Sequence, residues 1–281
     1  TTGDYNIANG YQALYSNTTG NSNTANGNRA LYLNTTGTRN VANGVHSLYS
    51  NTTGNYNTAN GDGTLFSNTT GDYNIANGYQ ALYSNTIGDN NTAIGKDALK
   101  ANTTGGYNTA IGVALYSNTS GANNIALGNY SLYENTTGNY NTAIGQQALN
   151  DNTTGIQNTA VGSAALYDNT TGDYNIAYGY GALADNTTGD LNTAFGFEAL
   201  AGNITGSNNT AIGRDADVGS NNLTNATAIG NGATVSASNK IRLGNTDVTS
   251  IEGQVAFTNA SDRRLKKDIT STKYGLETIL K

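Results

Sequence analysis

Aromatic side chains recur at a fixed spacing in this chain of 281 residues, and they are its best candidates for contact with a ligand. One column of residues, each 17 positions after the last, consists of Tyr15, Tyr32, Tyr49, Phe66 and Tyr83. Rows of aromatic rings can stack on one another or on the rings of a sugar. We expect mutual stacking as their main role and interpret the tyrosines of this column as possible glycan-binding residues.

Metal and cofactor chemistry is not expected. His46 is the only histidine and the chain has no cysteine, which argues against a transition-metal site. Five carboxylates follow turn glycines without forming a dense acidic cluster, so we interpret them as solvated turn residues rather than Ca²⁺ ligands. They are Asp4, Asp72, Asp89, Asp173 and Asp190. The sequence offers no Ser/His/Asp set, and we expect no cofactor and no enzyme of the usual kind.

The elements that position these residues are repeats of constant length. One series of glycines carries the same period as the aromatic column, with a single step that is one position shorter, between Gly112 and Gly128. It runs Gly10, Gly27, Gly44, Gly61, Gly78, Gly95, Gly112, Gly128, Gly145, Gly162, Gly179, Gly196, Gly213 and Gly230. A short fixed period is typical of stacked coils, in which no repeat buries its apolar face alone. This excludes most globular enzymes and predicts a solenoid over residues 1–213.

One repeat, residues 69–85, illustrates the expected coil. Residues 74–77 (NIAN) form a short strand that ends at Gly78, and residues 81–83 (ALY) form a second extended segment. The prediction is an all-β, parallel β-solenoid with one alanine column and one leucine column in its core. So thin a coil buries little apolar surface against the entropy of ordering its backbone, so we expect a homo-oligomer.

One column changes character along the chain. It is polar at Asn9, Asn26, Asn43, Asn60 and Asn77, and then apolar at Ile94, Ile111, Leu127, Ile144 and onward. These residues are candidates for lining an oligomer axis, and exposure to solvent in the first coils is the alternative. The column of Asn6, Asn23, Asn40 and Asn57 predicts a ladder of stacked amides. The Asn-Thr-Thr triplets, such as Asn34 and Asn51, are formal glycosylation sequons.

Composition excludes several partners. The net charge of −6 and the pI of about 4.6 make nucleic acid an unexpected partner. No apolar run approaches the roughly 20 residues that span a bilayer, so membrane insertion is not expected. The chain begins in mid-repeat and lacks methionine, and we interpret it as a fragment of a longer protein.

The repeats loosen after Gly213, and residues 214–258 are interpreted as a separate β-roll end and connector. Residues 227–245 (TAIGNGATVSASNKIRLGN) and the NTAIG-type cores before them resemble the heads of trimeric autotransporter adhesins. The resemblance implies a left-handed parallel β-roll and a homotrimer.

Residues 259–269 (NASDRRLKKDI) resemble the opening of the peptidase S74 intramolecular chaperone domain of phage tail fibres and tailspikes, and residues 274–280 its first helix. The resemblance implies a chaperone, truncated here to residues 259–281, that trimerises the fibre and is released by self-cleavage. It makes Ser261 the nucleophile, Lys266 the general base and Ser261–Asp262 the scissile bond. The alternative is a basic patch at residues 263–267 that caps the solenoid.

These observations predict a structural, adhesive surface fibre such as a viral tail fibre. We expect it to attach a virion, or an extracellular surface, to a cell-surface glycan or another receptor. A bacterial trimeric adhesin or extracellular filament is one alternative. An ice-binding solenoid is another, because the Thr-Thr pairs form regular rows; however, they lie at turns rather than in the T-x-T strands of a flat ice-binding face.

Overall fold

A computed structural model describes residues 2–251 of the chain. Residues 2–246 belong to one compact unit, which contains all the strands described below. Ser261, Asp262, Lys266 and the expected chaperone helix lie outside the described residues. Within residues 2–251 there is no helix, and hence no helix able to cross a membrane.

One strand per coil builds a single parallel sheet of fifteen strands, and two further strands form a small second sheet. The first thirteen strands of the large sheet are β1 (Ile7–Asn9), β2 (Thr24–Asn26), β3 (Val41–Asn43), β4 (Thr58–Asn60), β5 (Ile75–Asn77), β6 (Thr92–Ile94), β7 (Thr109–Ile111), β8 (Ile125–Leu127), β9 (Thr142–Ile144), β10 (Thr159–Val161), β11 (Ile176–Tyr178), β12 (Thr193–Phe195) and β13 (Thr210–Ile212). The sheet ends with β15 (Thr227–Ile229) and β17 (Ile241–Leu243), whereas β14 (Asp217–Val218) pairs with β16 (Thr234–Val235).

The register of the large sheet follows the sequence period. Ala59 pairs with Ala76, and the step is one position shorter where Ala110 pairs with Ala126. The last step, from Thr227 to Ile241, is shorter again. The prediction of an all-β parallel solenoid whose coils follow the sequence repeat is therefore confirmed, while its left-handedness stays a prediction. At about 4.8 Å per strand, the fourteen steps of the sheet span roughly 67 Å.

The second strand expected in each coil is wrong. Residues 81–83 form turns, and Leu82 has a φ of 52° in the left-handed region. The other core leucines share this conformation, with φ between 47° and 53°. A left-handed backbone is unfavourable for a bulky residue. Here it directs the leucine into the coil while its N–H still bonds to the next coil, as Leu82 N does to Ala98 O at 2.9 Å.

Glycine closes the strand side of each coil because no side chain fits there. Gly78 has a φ of +135°, and a Cβ added to it would lie 2.4 Å from the carbonyl oxygen of Gly95. Both the positive φ and the close approach of successive coils therefore require glycine, as the sequence predicts.

The interior holds two amide ladders among its alanines and leucines. In the predicted ladder, Asn74 N donates to Asn57 Oδ1 at 2.9 Å, and Asn74 Nδ2 donates to Gly88 O at 2.8 Å. The asparagines of the Asn-Thr-Thr triplets form a second ladder, in which Asn85 Nδ2 donates to Asn68 Oδ1 at 2.8 Å. From Asn34 to Asn203 the asparagines of the second ladder are fully buried, so the folded coil leaves no room for glycans on these amides.

Candidate functional surfaces

The outward face of the large sheet is the most extensive candidate surface. From β2 to β13 and in β15, the middle alanine points inward and the first and third residues point outward; in β5, Ala76 is fully buried whereas Ile75 is 47% exposed. The third position of each strand is the column that changes character along the sequence. Its predicted axis-lining members Asn9, Asn26, Asn43, Asn60, Asn77, Ile94, Ile111 and Ile144 therefore all lie on the outside of the coil.

This column divides the face into two regions. The first five coils carry the asparagine column, which we define as Asn9, Asn26, Asn43, Asn60 and Asn77. Four of its amides bond to each other in two pairs: Asn9 Nδ2 donates to Asn26 Oδ1 at 3.2 Å, and Asn43 Nδ2 donates to Asn60 Oδ1 at 2.9 Å. The next nine coils carry the apolar column, which we define as Ile94, Ile111, Leu127, Ile144, Val161, Tyr178, Phe195, Ile212 and Ile229.

The apolar column lies in an uncharged strip. The first position of the same strands holds only threonine or isoleucine, from Thr92 to Thr227. Nine strands at about 4.8 Å, each about 10 Å long, make a strip on the order of 400 Å². Seven of the nine side chains of the apolar column are exposed, and a continuous row of exposed apolar side chains is typical of an interaction site.

The aromatic column forms a continuous ladder on another side of the first five coils. Successive ring centroids from Tyr15 to Tyr83 are 5.0–5.4 Å apart, with interplanar angles of 5–15°. The rings therefore stack on one another. Glycan contact by Tyr15, Tyr32, Tyr49 and Tyr83 stays a prediction, and in this arrangement a sugar would meet ring edges rather than the stacked faces. His46 packs edge-on against Tyr49 and Phe66.

The aromatic ladder is interrupted in later coils. The same column reads Lys100, Tyr116, Tyr133, Asn150, Tyr167 and Ala184. Tyr116 and Tyr133 still stack at 5.0 Å. Lys100 lies over the Tyr116 ring and pairs with Asp97 at 2.9 Å, and the hydrogen bond with Asp97 raises the pKa of Lys100.

A row of carboxylates replaces the serines of the neighbouring column, and the sequence reading missed it. Glu134, Asp151, Asp168 and Asp185 follow one another in successive coils, where earlier coils have Ser50, Ser67 and Ser84. Burial raises the pKa of Asp168, and the charge of Asp185 raises it further. Burial likewise raises the pKa of Asp151, with added repulsion from Asp168 and Glu134. The 17-residue spacing of these four carboxylates is visible in the sequence and could have predicted the row. It was missed because only carboxylates that follow turn glycines were considered as ligands.

The row does not amount to a metal site. Within the described part of the chain, no group of three or more His, Cys, Asp or Glu residues is placed to hold a metal ion. The carboxylates therefore act as like charges held close together, which disfavours their ionised forms.

Asp217 lies beside the end of this row. It has the sequence position of the core leucine, but it is half-buried in β14 and the next residue, Val218, is the buried one. Asp217 Oδ2 accepts a hydrogen bond from Gly202 N at 3.1 Å and its Oδ1 accepts one from Val218 N at 2.7 Å. Burial raises the pKa of Asp217, while these two hydrogen bonds lower it. The carboxylate is accommodated because residue 202 is glycine: an added Cβ would lie 2.9 Å from Asp217 Oδ2.

The carboxylates after turn glycines bond to the backbone of neighbouring coils. Asp72 Oδ1 accepts from Asn55 N at 2.6 Å, and Asp89 Oδ1 accepts from Asp72 N at 2.7 Å. Asp173 Oδ1 accepts from Ile156 N at 2.8 Å. These contacts give the residues a structural role in linking coils at the turn.

Comparison with known proteins does not assign this chain to a family. No protein-family model matches the chain, and no curated protein matches its sequence. The resemblances to adhesin heads and to the S74 chaperone therefore stay predictions from the residues quoted above.

Proposed function

We propose that this chain is the shaft of a homotrimeric surface fibre whose role is structural and adhesive. The observation that carries the proposal is the outward strand face, an uncharged surface that continues through nine coils with apolar side chains exposed. A solenoid that served alone would gain nothing from presenting isoleucine, tyrosine and phenylalanine to water.

The thin interior supports self-association. Each regular coil buries little more than two small residues and one leucine beside its amide ladders; in the coil of β5 the apolar residues are Ala76, Ala81 and Leu82. That apolar burial is small for the ordering of a whole coil. Packing the outward faces of several chains together would bury the additional apolar surface that a single coil lacks.

The attachment role is supported by the repetitive display on the remaining sides of the coil. Exposed threonine and tyrosine side chains recur at every coil or every few coils, as with Thr53, Thr70, Tyr56 and Tyr73. Weak contacts repeated along a fibre gain avidity because each further contact is intramolecular. The proposed localisation is a virion tail fibre or another extracellular surface, with a cell-surface glycan as the receptor class.

The C-terminal residues carry the maturation step of this proposal. Once the chaperone domain has assembled three chains, Ser261 Oγ gives its proton to Lys266 and attacks the carbonyl carbon of a Ser261–Asp262 bond. The Asp262 amine takes that proton and leaves, and water hydrolyses the ester that has formed, which leaves a carboxylate on Ser261. No other catalytic role is proposed.

Native mass spectrometry of the complete gene product tests the proposal. A trimer of chains that end at Ser261 is expected, and Ser261→Ala should give a trimer of uncleaved chains. A wild-type monomer would overturn the fibre proposal, whereas an uncleaved wild-type trimer would overturn only the cleavage step. Binding of the trimer to a glycan array, compared with a Tyr32→Ala/Tyr49→Ala variant, tests the receptor class.

A further inference from the structure

A repetitive interface has a register problem. Copies of this chain that pack side by side through the outward strand face could slide by one coil, about 4.8 Å, and meet almost the same residues again. Threonine or isoleucine occupies the first outward position of nearly every strand and cannot distinguish one coil from the next. A fibre of defined length therefore needs a feature that makes one alignment better than its neighbours.

The boundary between Asn77 and Ile94 is such a feature. In aligned parallel copies, asparagine columns would face each other in five coils and apolar columns in nine. A slip of one coil would place an asparagine of one copy against an apolar residue of the other and would expose an apolar residue at the far end. Each further coil of slip repeats this mismatch, because burying an amide without a polar partner is unfavourable.

We propose that the Asn77/Ile94 boundary sets the axial register between copies of this chain that pack in parallel through the outward strand face. The occupant of this face is a second copy, and the inference rests on the proposed homo-oligomeric fibre. The uncharged strip on the order of 400 Å² is about half of the roughly 800 Å² that each partner buries in a standard interface, so flanking side chains must take part as well. Tyr107, Tyr140, Tyr174 and Leu191, two residues before their strands, are exposed and suited to add that area.

Pulsed electron–electron double resonance, which measures the distance between spin labels on neighbouring copies, tests the register. The chain has no cysteine, so Thr137→Cys places a single spin label on an exposed threonine outside the strip. The wild-type oligomer should give one narrow distance. A boundary-erased variant, with all five residues of the asparagine column changed to isoleucine, should give several distances that correspond to axial offsets of about 4.8 Å per coil.

A moved-boundary variant is the matched control. Asn60→Ile with Asn77→Ile uses the same substitution but shifts the boundary by two coils, so its homo-oligomer should keep one narrow distance. Mixed with labelled wild-type chains, it should produce an axial offset of about 10 Å. This mixture also decides the question if the boundary-erased variant does not fold.

The outcomes separate the two proposals. A wild-type monomer by native mass spectrometry overturns both the fibre and the register. A wild-type oligomer with several distances leaves self-association intact and overturns the register. An unchanged single distance in the boundary-erased variant, or no offset in the mixture, also overturns the boundary as the register element.

Discussion

The first five coils and the coils from β6 onward share one interior and differ on the outside. From the coil of β2 to the coil of β12, both regions bury the same alanine and leucine columns and the same two amide ladders. Outside, the first region carries the asparagine column and the continuous aromatic ladder. The second carries the apolar column and the carboxylate row beside an interrupted ladder. The comparison shows that the interior residues are common to both regions and hold the coils together. The outward columns can therefore differ between regions and determine which contacts each region makes.

The largest effect is expected from the shared interior. Asn57→Ala and Asn158→Ala each remove a buried amide that bonds a backbone N–H and a carbonyl, namely Asn74 N and Gly71 O for Asn57, and Asn175 N and Gly172 O for Asn158. At about 1–3 kcal/mol for each of the two unsatisfied groups, each change should lower the free energy of unfolding by about 2–6 kcal/mol.

Urea denaturation followed by circular dichroism checks this, with Thr53→Ala and Thr154→Ala as exposed controls. If only one of the two asparagine variants lost stability, the interior would not be equivalent in the two regions.

The next effect sharpens the contrast on the strand face. Ile111→Asp with Ile144→Asp places two charges in the apolar column and should weaken self-association by about 100-fold, because each charge must be desolvated in the interface. Asn26→Asp with Asn60→Asp, also two coils apart, should weaken association less, because neighbouring amides that already bond to one another solvate a charge better than isoleucine does. Sedimentation velocity measures both. An isoleucine pair that weakens association no more than the asparagine pair does would contradict the assigned difference between the two columns.

A smaller effect is expected in the aromatic ladder. Phe66 stacks on Tyr49 and on Tyr83, each at 5.0 Å, whereas Tyr167 has Asn150 and Ala184 as column neighbours. Because each stacked pair contributes about 0.5–1.5 kcal/mol beyond area burial, Phe66→Ala should cost about 1–3 kcal/mol more than Tyr167→Ala. Urea midpoints compare the two variants, and equal costs would mean that stacking adds nothing to burial.

The smallest effect is electrostatic. The pKa values of Asp151 and Asp168 are raised in the folded chain, chiefly by burial, so the folded state binds more protons than the unfolded state above about pH 4. Stability should therefore fall as the pH rises through the raised pKa values. Asp168→Asn should raise the melting temperature at pH 7 and have no such effect at pH 3.

Scanning calorimetry at both pH values measures the change, with Asp62→Asn, an exposed carboxylate of the first region, as the control. If the difference in melting temperature between Asp168→Asn and wild type were the same at both pH values, the raised pKa of Asp168 would be contradicted.

Much of the fold could be predicted because the period constrains it. A strand such as β5 recurs once in every repeat, so parallel pairing in register is the arrangement that keeps Ala76 among alanines. The expectation of glycine at position 78 followed from the same constancy. The second strand could not be predicted reliably, since a three-residue segment with an inward leucine fits both an extended and a turn conformation. The left-handed φ of Leu82 is decided by closure of the coil.

The candidate surfaces were only partly predictable. The change from Asn77 to Ile94 is visible in the sequence, but whether that position points inward or outward is not. The Asn-Thr-Thr triplets suggested exposed turns, whereas Asn85, at the same position of its own repeat, is buried. The 17-residue period already aligns Asp151, Asp168 and Asp185 in the sequence, whereas the burial that raises the pKa values of Asp151 and Asp168 is visible only in the structure.

The sequence by itself determined the period, the parallel β-solenoid and the identity of the alanine and leucine columns, because only a stack that repeats with the chain keeps each small residue beside its equivalents. The tertiary structure alone decided which columns face water. Closing so short a coil requires left-handed turns and two sets of buried amides that bond the backbone across coils. Those requirements leave the third residue of each strand on the outside.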